Sequence, residues 1–128
     1  MLKVAAAIII KNNLILIAQR KTTDYLANKW EFPGGKIENS ETSKECLKRE
    51  LEEEFDIDIE VSDYYGKSIY RYPKFEICLS VYKAFWITGN IKLKDHKDYK
   101  WIKIEEVDNY DFDDADIYFV NKLKEEML

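Results

Sequence analysis

The sequence predicts a single α/β domain in which a mixed β-sheet is covered by helices. The chain has 128 residues, which is the usual size of one domain. Hydrophobic residues make up 46% of it, which is enough to form a core and too many for a disordered chain. Strand-like and helix-like patterns alternate along the sequence, and no repeat or linker divides residues 1–128.

The N-terminal half is predicted to begin with a β-hairpin. Residues 4–10 and 14–19 are apolar runs separated by the polar turn Lys11-Asn12-Asn13. A polar loop over residues 21–29 follows. Residues 30–32 form a short extended segment that stops at Pro33-Gly34-Gly35.

A helix is predicted after this stop, from about residue 42 to residue 55. Ser40 or Thr42 can cap its N-terminus, and Glu and Lys fill the surface positions that follow.

The C-terminal half is predicted to contain strands and then a helix. Tyr72-Pro73-Lys74 turns into the longest strand, and Gly89-Asn90 turns out of it. A short helical turn begins at residues 104–107. A final helix begins at Asp116, with apolar residues at Ile117, Val120 and either Leu123 or Met127. The predicted strands are residues 57–61, 67–70, 75–87 and 99–104, and the final helix is residues 116–127.

Composition narrows the classes of function. The net charge of −5 argues against a nucleic-acid polymer as the main partner, although a nucleotide held through a metal ion does not need a basic protein. The apolar start is short, lacks a basic region before it and is broken by Lys11, which favours a buried strand over a membrane segment or signal peptide. Cys46 and Cys78 are expected to be reduced core residues of a cytoplasmic protein.

One spacing carries most of the functional information. Gly35 is followed after five residues by Glu41, and after seven more by Arg49-Glu50, with Glu53-Glu54 close behind. On a helix, positions i, i+3 and i+4 share one face, so the last three glutamates project together. Such charges repel, and a divalent cation with a preference for oxygen ligands, Mg²⁺ or Mn²⁺, relieves the repulsion.

This spacing resembles the Nudix box. The box runs Gly, five residues, Glu, seven residues, Arg-Glu, an apolar residue, one residue, Glu-Glu, one residue, Gly and an apolar residue. Only the last Gly differs, because Asp56 occupies its place. Asp adopts the left-handed conformation more readily than most residues, so the departure concerns the end of the helix and spares the carboxylates. The flanking residues 27–38 and the segment Ala18-Gln19-Arg20 resemble MutT-type nucleotide hydrolases, in particular the branch of CTP pyrophosphohydrolases and 8-oxo-dGTP diphosphatases.

The resemblance implies an α/β/α sandwich and a set of site residues. Glu50, Glu53 and Glu54 would hold Mg²⁺ together with the Gly34 carbonyl, with Mn²⁺ as a substitute. Glu53 is the first choice for orienting or deprotonating water, whereas Arg49 and Glu41 would form a supporting ion pair. Gly34 and Gly35 would allow close approach to metal and phosphate, or else form only a structural turn. The remaining implied residues are Asp95 as an added ligand or base, and Arg20, Gly35 and Lys36 as substrate contacts. The alternative for Asp95 is a solvated loop acid, and the alternative for Arg20 is a surface ion pair.

Recognition of the base must come from residues outside the box. The CTP pyrophosphohydrolase branch has Asp where this chain has Asp116. An ionised carboxylate accepts hydrogen bonds and therefore favours a base that offers an exocyclic amine. Trp30, Phe32 and Tyr82 are candidate pocket walls, each with core packing as the alternative. His96, the only histidine, is expected to be a surface loop residue.

The resemblance implies hydrolysis of a nucleoside triphosphate to the monophosphate and pyrophosphate. CTP or dCTP and oxidised purine deoxynucleotides are the expected substrates, and the chain is expected to act as a monomer or homodimer in the cytoplasm. ADP-ribose or a dinucleotide is the alternative substrate, although 128 residues leave little room for the extra segments of such enzymes. A non-catalytic binding module is the other alternative, and the complete set of carboxylates argues against it.

Overall fold

The computed structural model describes residues 1–23 and 25–127. Asp24, inside the predicted loop over residues 21–29, and Leu128 lie outside the described residues, as does the side chain of Met127. In chain order the elements are β1 (Leu2–Lys11), β2 (Leu14–Gln19), β3 (Trp30–Glu31), β4 (Gly34–Lys36), α1 (Ser43–Phe55), β5 (Asp58–Arg71), β6 (Glu76–Thr88), β7 (Asp98–Ile102), the 3₁₀ helix η1 (Ile104–Asn109) and α2 (Asp114–Met127).

The strands form one mixed sheet, as predicted. Its main path runs β3-β2-β1-β6-β5, while β4 pairs with β1 and β7 pairs with β2. Among the strands that the structure describes, only β1 and β6 pair in parallel, and the other strand pairs are antiparallel. On the side away from β6, β4 pairs with residues 4–6 of β1 and β2 pairs with residues 10–11, so two different strands share that edge of β1.

Strand β1 is the centre of the sandwich. Residues 5–9 are fully or almost fully buried, and they alternate between two separate core clusters. Ala5, Ala7 and Ile9 pack in the cluster that contains α1, whereas Ala6 and Ile8 pack in the cluster that contains α2. A strand buried on both faces has no polar alternation, which explains the continuous apolar run at the start of the chain. The predicted α/β/α arrangement is therefore confirmed.

The ends of α1 agree with the sequence. Thr42, one of the two predicted caps, accepts a hydrogen bond from the Glu45 amide, and the Glu45 side chain accepts one from the Thr42 amide. Asp56 ends the helix in the left-handed conformation, with φ 59°. Asp56 therefore performs the turn that Gly performs in the resembled pattern.

Several predicted boundaries are wrong. The sequence predicts that Pro33-Gly34-Gly35 ends the extended segment, but Gly34–Lys36 forms a further strand, β4. The two strands predicted over residues 57–70 are one strand, β5, which continues through register shifts near Tyr64. Helix α2 begins at Asp114, two residues before its predicted start, and Cys78 is only partly buried. None of the helices in the described part of the chain is long and apolar enough to cross a bilayer.

Candidate active site

A cavity of about 430 Å³ lies where β1, β4, α1 and the start of α2 meet. Nine of the predicted site residues line it. From β4, α1 and the loop before β7 these are Gly34, Gly35, Lys36, Glu50, Glu54 and Asp95. Arg20, Phe32 and Asp116 line it as well.

Arg49 organises the glutamate face of α1. Its guanidinium makes two short hydrogen bonds to Glu41, from Nε to Oε2 at 2.6 Å and from Nη2 to Oε1 at 2.9 Å. The predicted ion pair is therefore present. Hydrogen bonding from Arg49 lowers the pKa of Glu41 to about 2, and Glu41 in turn raises the pKa of Arg49. Nη2 of Arg49 also donates to the Lys36 carbonyl at 3.2 Å, which ties α1 to β4.

The same guanidinium reaches two of the three predicted metal ligands. Nη1 lies 3.0 Å from Oε1 of Glu50 and 3.2 Å from Oε2 of Glu53. Glu53 remains largely exposed, with 58% of its side-chain surface accessible, whereas Glu50 is mostly buried. Among the residues that the structure describes, no three acidic, histidine or cysteine side chains converge closely enough to hold a metal ion. Arg49 supplies the positive charge that balances these glutamates.

The oxygen groups nevertheless suit a divalent cation. Burial raises the pKa of Glu50, repulsion from Glu54 and Glu53 adds to the shift, and Arg49 opposes it. Oε2 of Glu54 is buried and has no hydrogen-bond partner in the described part of the chain. Unpaired carboxylate oxygen in a crowded acidic site is the donor that Mg²⁺ and Mn²⁺ prefer.

The two glycines of β4 have different neighbours. A Cβ on Gly34 would lie 1.9 Å from the carbonyl oxygen of Ala5, so Gly34 is required by the pairing of β4 with β1. A Cβ on Gly35 would lie 2.4 Å from the carboxyl carbon of Glu50 and 2.6–2.7 Å from its oxygens. Gly35 therefore leaves the space that the Glu50 carboxylate occupies.

His96 is not the surface residue that the sequence suggested. Its side chain is 9% exposed and stacks on Phe55, with ring centroids 5.0 Å apart. Nε2 lies 2.8 Å from Glu31, whose other oxygen accepts from Arg20 at 2.9 Å. Glu31 and His96 are 65 positions apart and both line the cavity, so no local pattern could have joined them. The neighbouring Asp95 is more exposed and pairs with Lys21 at 2.9 Å.

Residues at the start of α2 form another part of the cavity wall. Asp116 is 5% exposed, and its Oδ2 accepts a hydrogen bond from the Phe32 amide at 2.7 Å. Burial raises the pKa of Asp116 well above its usual value, and repulsion from Glu31 and Asp113 adds to the shift. Asp116 lies inside the first turn of α2, so capping the helix is not its role.

Sequence reasoning missed Asp113, Tyr72 and two aromatic neighbours. Asp113 is buried, lines the cavity and accepts a hydrogen bond from the Tyr72 hydroxyl. Tyr25 and Phe75 line the cavity beside Tyr72, with ring centroids 4.9 Å apart for Tyr72 and Phe75. These residues come from a loop, a turn and a helix start, and no periodic pattern connects them.

Two predicted pocket walls lie away from the cavity. Trp30 is buried in the core cluster of α2, where its ring packs against Tyr110 at 5.1 Å. Tyr82 packs against the cluster that contains α1 and contacts Tyr64 at 5.4 Å. Arg49 and Glu53 also do not line the cavity. Arg49 contacts Glu50, which does line it, and Glu53 contacts Arg49.

The fold and the acidic helix define a class of hydrolase that combines a glutamate-rich helix with a nucleotide-sized cavity. The chain belongs to the NUDIX domain family, whose model matches residues 1–123. It is a hydrolase of that family. Members of this family act on nucleotide substrates and generally need a divalent cation.

Named relatives agree with this membership. The chain is 34% identical to the CTP pyrophosphohydrolase of Escherichia coli K12 over 117 residues, which cover 91% of this chain and 87% of the relative. It is also 34% identical to the 8-oxo-dGTP diphosphatase of the same organism over 118 residues, covering 89% and 88%. The solution structure of a MutT protein of the Nudix hydrolase family, from methicillin-resistant Staphylococcus aureus 252, superimposes with a TM-score of 0.77 at 38% identity, covering 98% of this chain and 96% of that one.

Proposed function

We propose that the chain is a Mg²⁺-dependent nucleoside triphosphate pyrophosphohydrolase that acts on CTP-like or oxidised purine nucleotides, with Mn²⁺ as a substitute. One observation carries the proposal: Glu50 and Glu54 of α1 and the buried Asp116 of α2 line the same cavity. A nucleotide placed there has carboxylates beside its phosphates and an acidic group beside its base. The curated relatives named for CTP and 8-oxo-dGTP support this substrate class.

The chain's own residues have distinct roles in this proposal. Glu50, Glu53, Glu54 and the Gly34 carbonyl would hold the cation, which supplies charge neutralisation at the phosphates and activation of water when bound. Glu53 orients or deprotonates the attacking water, as suits its exposed carboxylate. Arg49, fixed by Glu41, positions Glu50 and Glu53 through its Nη1 contacts.

The substrate itself contacts a second set of residues. Arg20, Gly35, Lys36 and Asp95 face it from the polar part of the cavity lining. Phe32 forms an apolar wall, and its amide fixes Asp116 for recognition of an amine on the base. Trp30 and Tyr82 support the site from the core, since they do not line the cavity.

The remaining features follow from composition and size. We infer one functional domain over residues 1–128, working as a monomer or homodimer in the cytoplasm. The net charge of −5 supports a free nucleotide as the partner in place of a nucleic-acid polymer.

A substrate panel tests the proposal. Pyrophosphate and nucleoside monophosphate are quantified with Mg²⁺ and with Mn²⁺, for CTP, dCTP, UTP, dTTP, 8-oxo-dGTP, 2-hydroxy-dATP and ADP-ribose. We expect equal amounts of both products from amine-bearing triphosphates and little turnover of ADP-ribose. No pyrophosphate from any triphosphate, or faster hydrolysis of ADP-ribose, would refute the proposed activity.

Cation binding to the folded protein is measurable without turnover. Millimolar Mg²⁺ or Mn²⁺ should raise the Tm, because a ligand that binds only the native state stabilises it and also relieves repulsion among the glutamates. Glu54→Gln should reduce the shift, since Oε2 of Glu54 is a buried oxygen without a partner in the described part of the chain. Glu52→Gln, on the exposed face of α1, is the control and should retain it. An unchanged Tm with both cations, repeated with a non-hydrolysable nucleotide, would contradict the proposed site.

A further inference from the structure

Tyr72 and Asp113 form a buried pair in the wall of the cavity. Tyr72 lies in the turn after β5 and is 6% exposed, as is Asp113 just before α2. The Tyr72 hydroxyl donates to Oδ1 of Asp113, and the Ala115 amide donates to the same oxygen at 3.3 Å. The backbone amide of Asp113 donates to the Trp30 carbonyl at 2.8 Å. Oδ1 of the carboxyl group is therefore fixed by Tyr72 and by the Ala115 amide, and the backbone of Asp113 is fixed by Trp30.

Each of the two buried acids has one oxygen fixed by the protein. In the described part of the chain, Oδ2 of Asp113 has no hydrogen-bond donor, and the same is true of Oδ1 of Asp116. Both residues line the cavity. Two carboxyl groups three positions apart thus offer unpaired oxygens beside the same space.

We propose that Asp113, positioned by Tyr72, reads the nucleobase together with Asp116, and that the pair selects a base edge with two adjacent N–H donors. This rests on the proposed function and assigns the base end of the same site. Guanine and 8-oxoguanine carry N1–H beside an N2 amine. Cytosine carries its N4 amine beside N3, which only accepts hydrogen bonds. On either base, one of the two carboxyl oxygens can accept a hydrogen bond from the exocyclic amine. The second carboxyl oxygen finds an N–H donor only on guanine or 8-oxoguanine.

The hydrogen bonds to Asp113 favour its role as an acceptor. Burial raises the pKa of Asp113, whereas the donors Tyr72 and Ala115 stabilise the ionised form. Removing the Tyr72 hydroxyl therefore favours the protonated form of Asp113 over the accepting carboxylate and frees the side chain to adopt other rotamers. The variant Tyr72→Phe makes that change while it retains the aromatic ring beside Phe75.

The chain contains a matched control. The Tyr70 hydroxyl donates to Oδ2 of Asp114 at 3.0 Å, so a second Tyr–Asp pair also joins β5 to the start of α2. Neither Tyr70 nor Asp114 lines the cavity. Tyr70→Phe and Asp114→Asn therefore repeat the chemistry of Tyr72→Phe and Asp113→Asn away from the base.

The experiment measures the Kd of 8-oxo-dGMP, dGMP and CMP by calorimetry, and kcat/KM for 8-oxo-dGTP and CTP. Asp113→Asn should weaken 8-oxo-dGMP and dGMP binding by about tenfold, the lower range for one base contact, and CMP binding by less than about threefold. Tyr72→Phe should shift the ratio of purine Kd to CMP Kd in the same direction but by a smaller factor. Tyr70→Phe and Asp114→Asn should leave this ratio unchanged. Tyr72→Phe also keeps the test decisive if thermal melting shows Asp113→Asn to be unfolded.

The outcomes separate the two proposals. Equal weakening of purine and pyrimidine nucleotides in Tyr72→Phe and Asp113→Asn, or the same shift in the controls, would overturn the role of Asp113. If the wild type releases pyrophosphate but the ratio of purine to pyrimidine Kd values is unchanged in Asp113→Asn and Tyr72→Phe, only the role of Asp113 is overturned. A shifted Kd ratio without pyrophosphate release in the wild type would retain base reading and refute the enzymatic activity.

Discussion

The two acidic groups beside the cavity are built in opposite ways. Glu50, Glu53 and Glu54 come from one helix and keep part of their surface in water, and the guanidinium of Arg49 contacts Glu50 and Glu53. Asp113 and Asp116 are each at most 6% exposed and are fixed by Tyr72 and Phe32, which lie far away in the sequence. Partly solvated glutamates can be placed by helical spacing in the sequence alone, because water stabilises their charge. Buried carboxyl groups require specific hydrogen-bond donors from the protein.

This difference predicts where substitutions will act. Changes on α1 should alter the rate for all substrates, because every nucleotide carries phosphates. Changes at the start of α2 should alter the choice among bases.

Loss of the Glu53 carboxylate should have the largest effect. Glu53→Gln should retain the fold and lower kcat by about a hundredfold or more, the lower range for a positioned base or electrostatic group. The loss should be similar for CTP and 8-oxo-dGTP, which steady-state kinetics would measure. Glu52→Gln is the matched control on the adjacent exposed position. Near-normal turnover of Glu53→Gln would remove Glu53 from the mechanism.

The adjacent glycines of β4 should separate rate from stability. In Gly35→Ala the new Cβ would lie 2.4 Å from the Glu50 carboxyl carbon, so that flexible side chain must move, and kcat should fall by about tenfold or more. In Gly34→Ala the Cβ would meet the Ala5 backbone, so the variant should lose about 1–3 kcal/mol of stability or more. Denaturant unfolding and kinetics on both variants are needed. A stability loss for Gly35→Ala as large as for Gly34→Ala would show that Gly35 is only structural.

The sequence predicted α1 well because its information is local. All of its features lie within residues 41–56: the Thr42 cap, the Glu41–Arg49 pair and the left-handed Asp56. The base end could not be predicted in the same way. Tyr72 and Asp113 are 41 positions apart, and His96 and Glu31 are 65 positions apart. The aromatic residues Trp30 and Tyr82 looked like pocket walls because composition alone does not distinguish a cavity lining from a core.

Asp116 should control the choice between cytosine and uracil. An acidic oxygen accepts from the N4 amine of cytosine and is repelled by the carbonyl of uracil, so the wild type should favour CTP over UTP by about tenfold or more in kcat/KM. Asp116→Asn should compress this ratio. Its amide oxygen can still accept from the Phe32 amide, so stability should fall less than in Asp116→Ala, which leaves that amide unpaired. An unchanged ratio in a destabilised Asp116→Ala variant would make Asp116 purely structural.

The ion pair that supports α1 should have the smallest effect, and this effect should disappear in acid. The pKa of Glu41 is about 2 in the folded protein, compared with an ordinary value of 4.5 for a glutamate side chain. A lowered pKa means that the carboxylate stabilises the fold above pH 4.5 and that this contribution disappears as the pH falls towards 2. Glu41→Gln removes it at every pH. The free energies of unfolding of wild type and variant should therefore differ at neutral pH and converge between these two values.

Chemical denaturation at a series of pH values measures this convergence, with Glu60→Gln on the exposed surface of β5 as the baseline. Because Arg49 also contacts Glu50 and Glu53, Glu41→Gln should lower kcat modestly for all nucleotides without changing the ratio of CTP to UTP. A changed base ratio in Glu41→Gln would break the division between the two acidic groups. A constant stability difference down to pH 2 would show that Arg49 does not lower the pKa of Glu41.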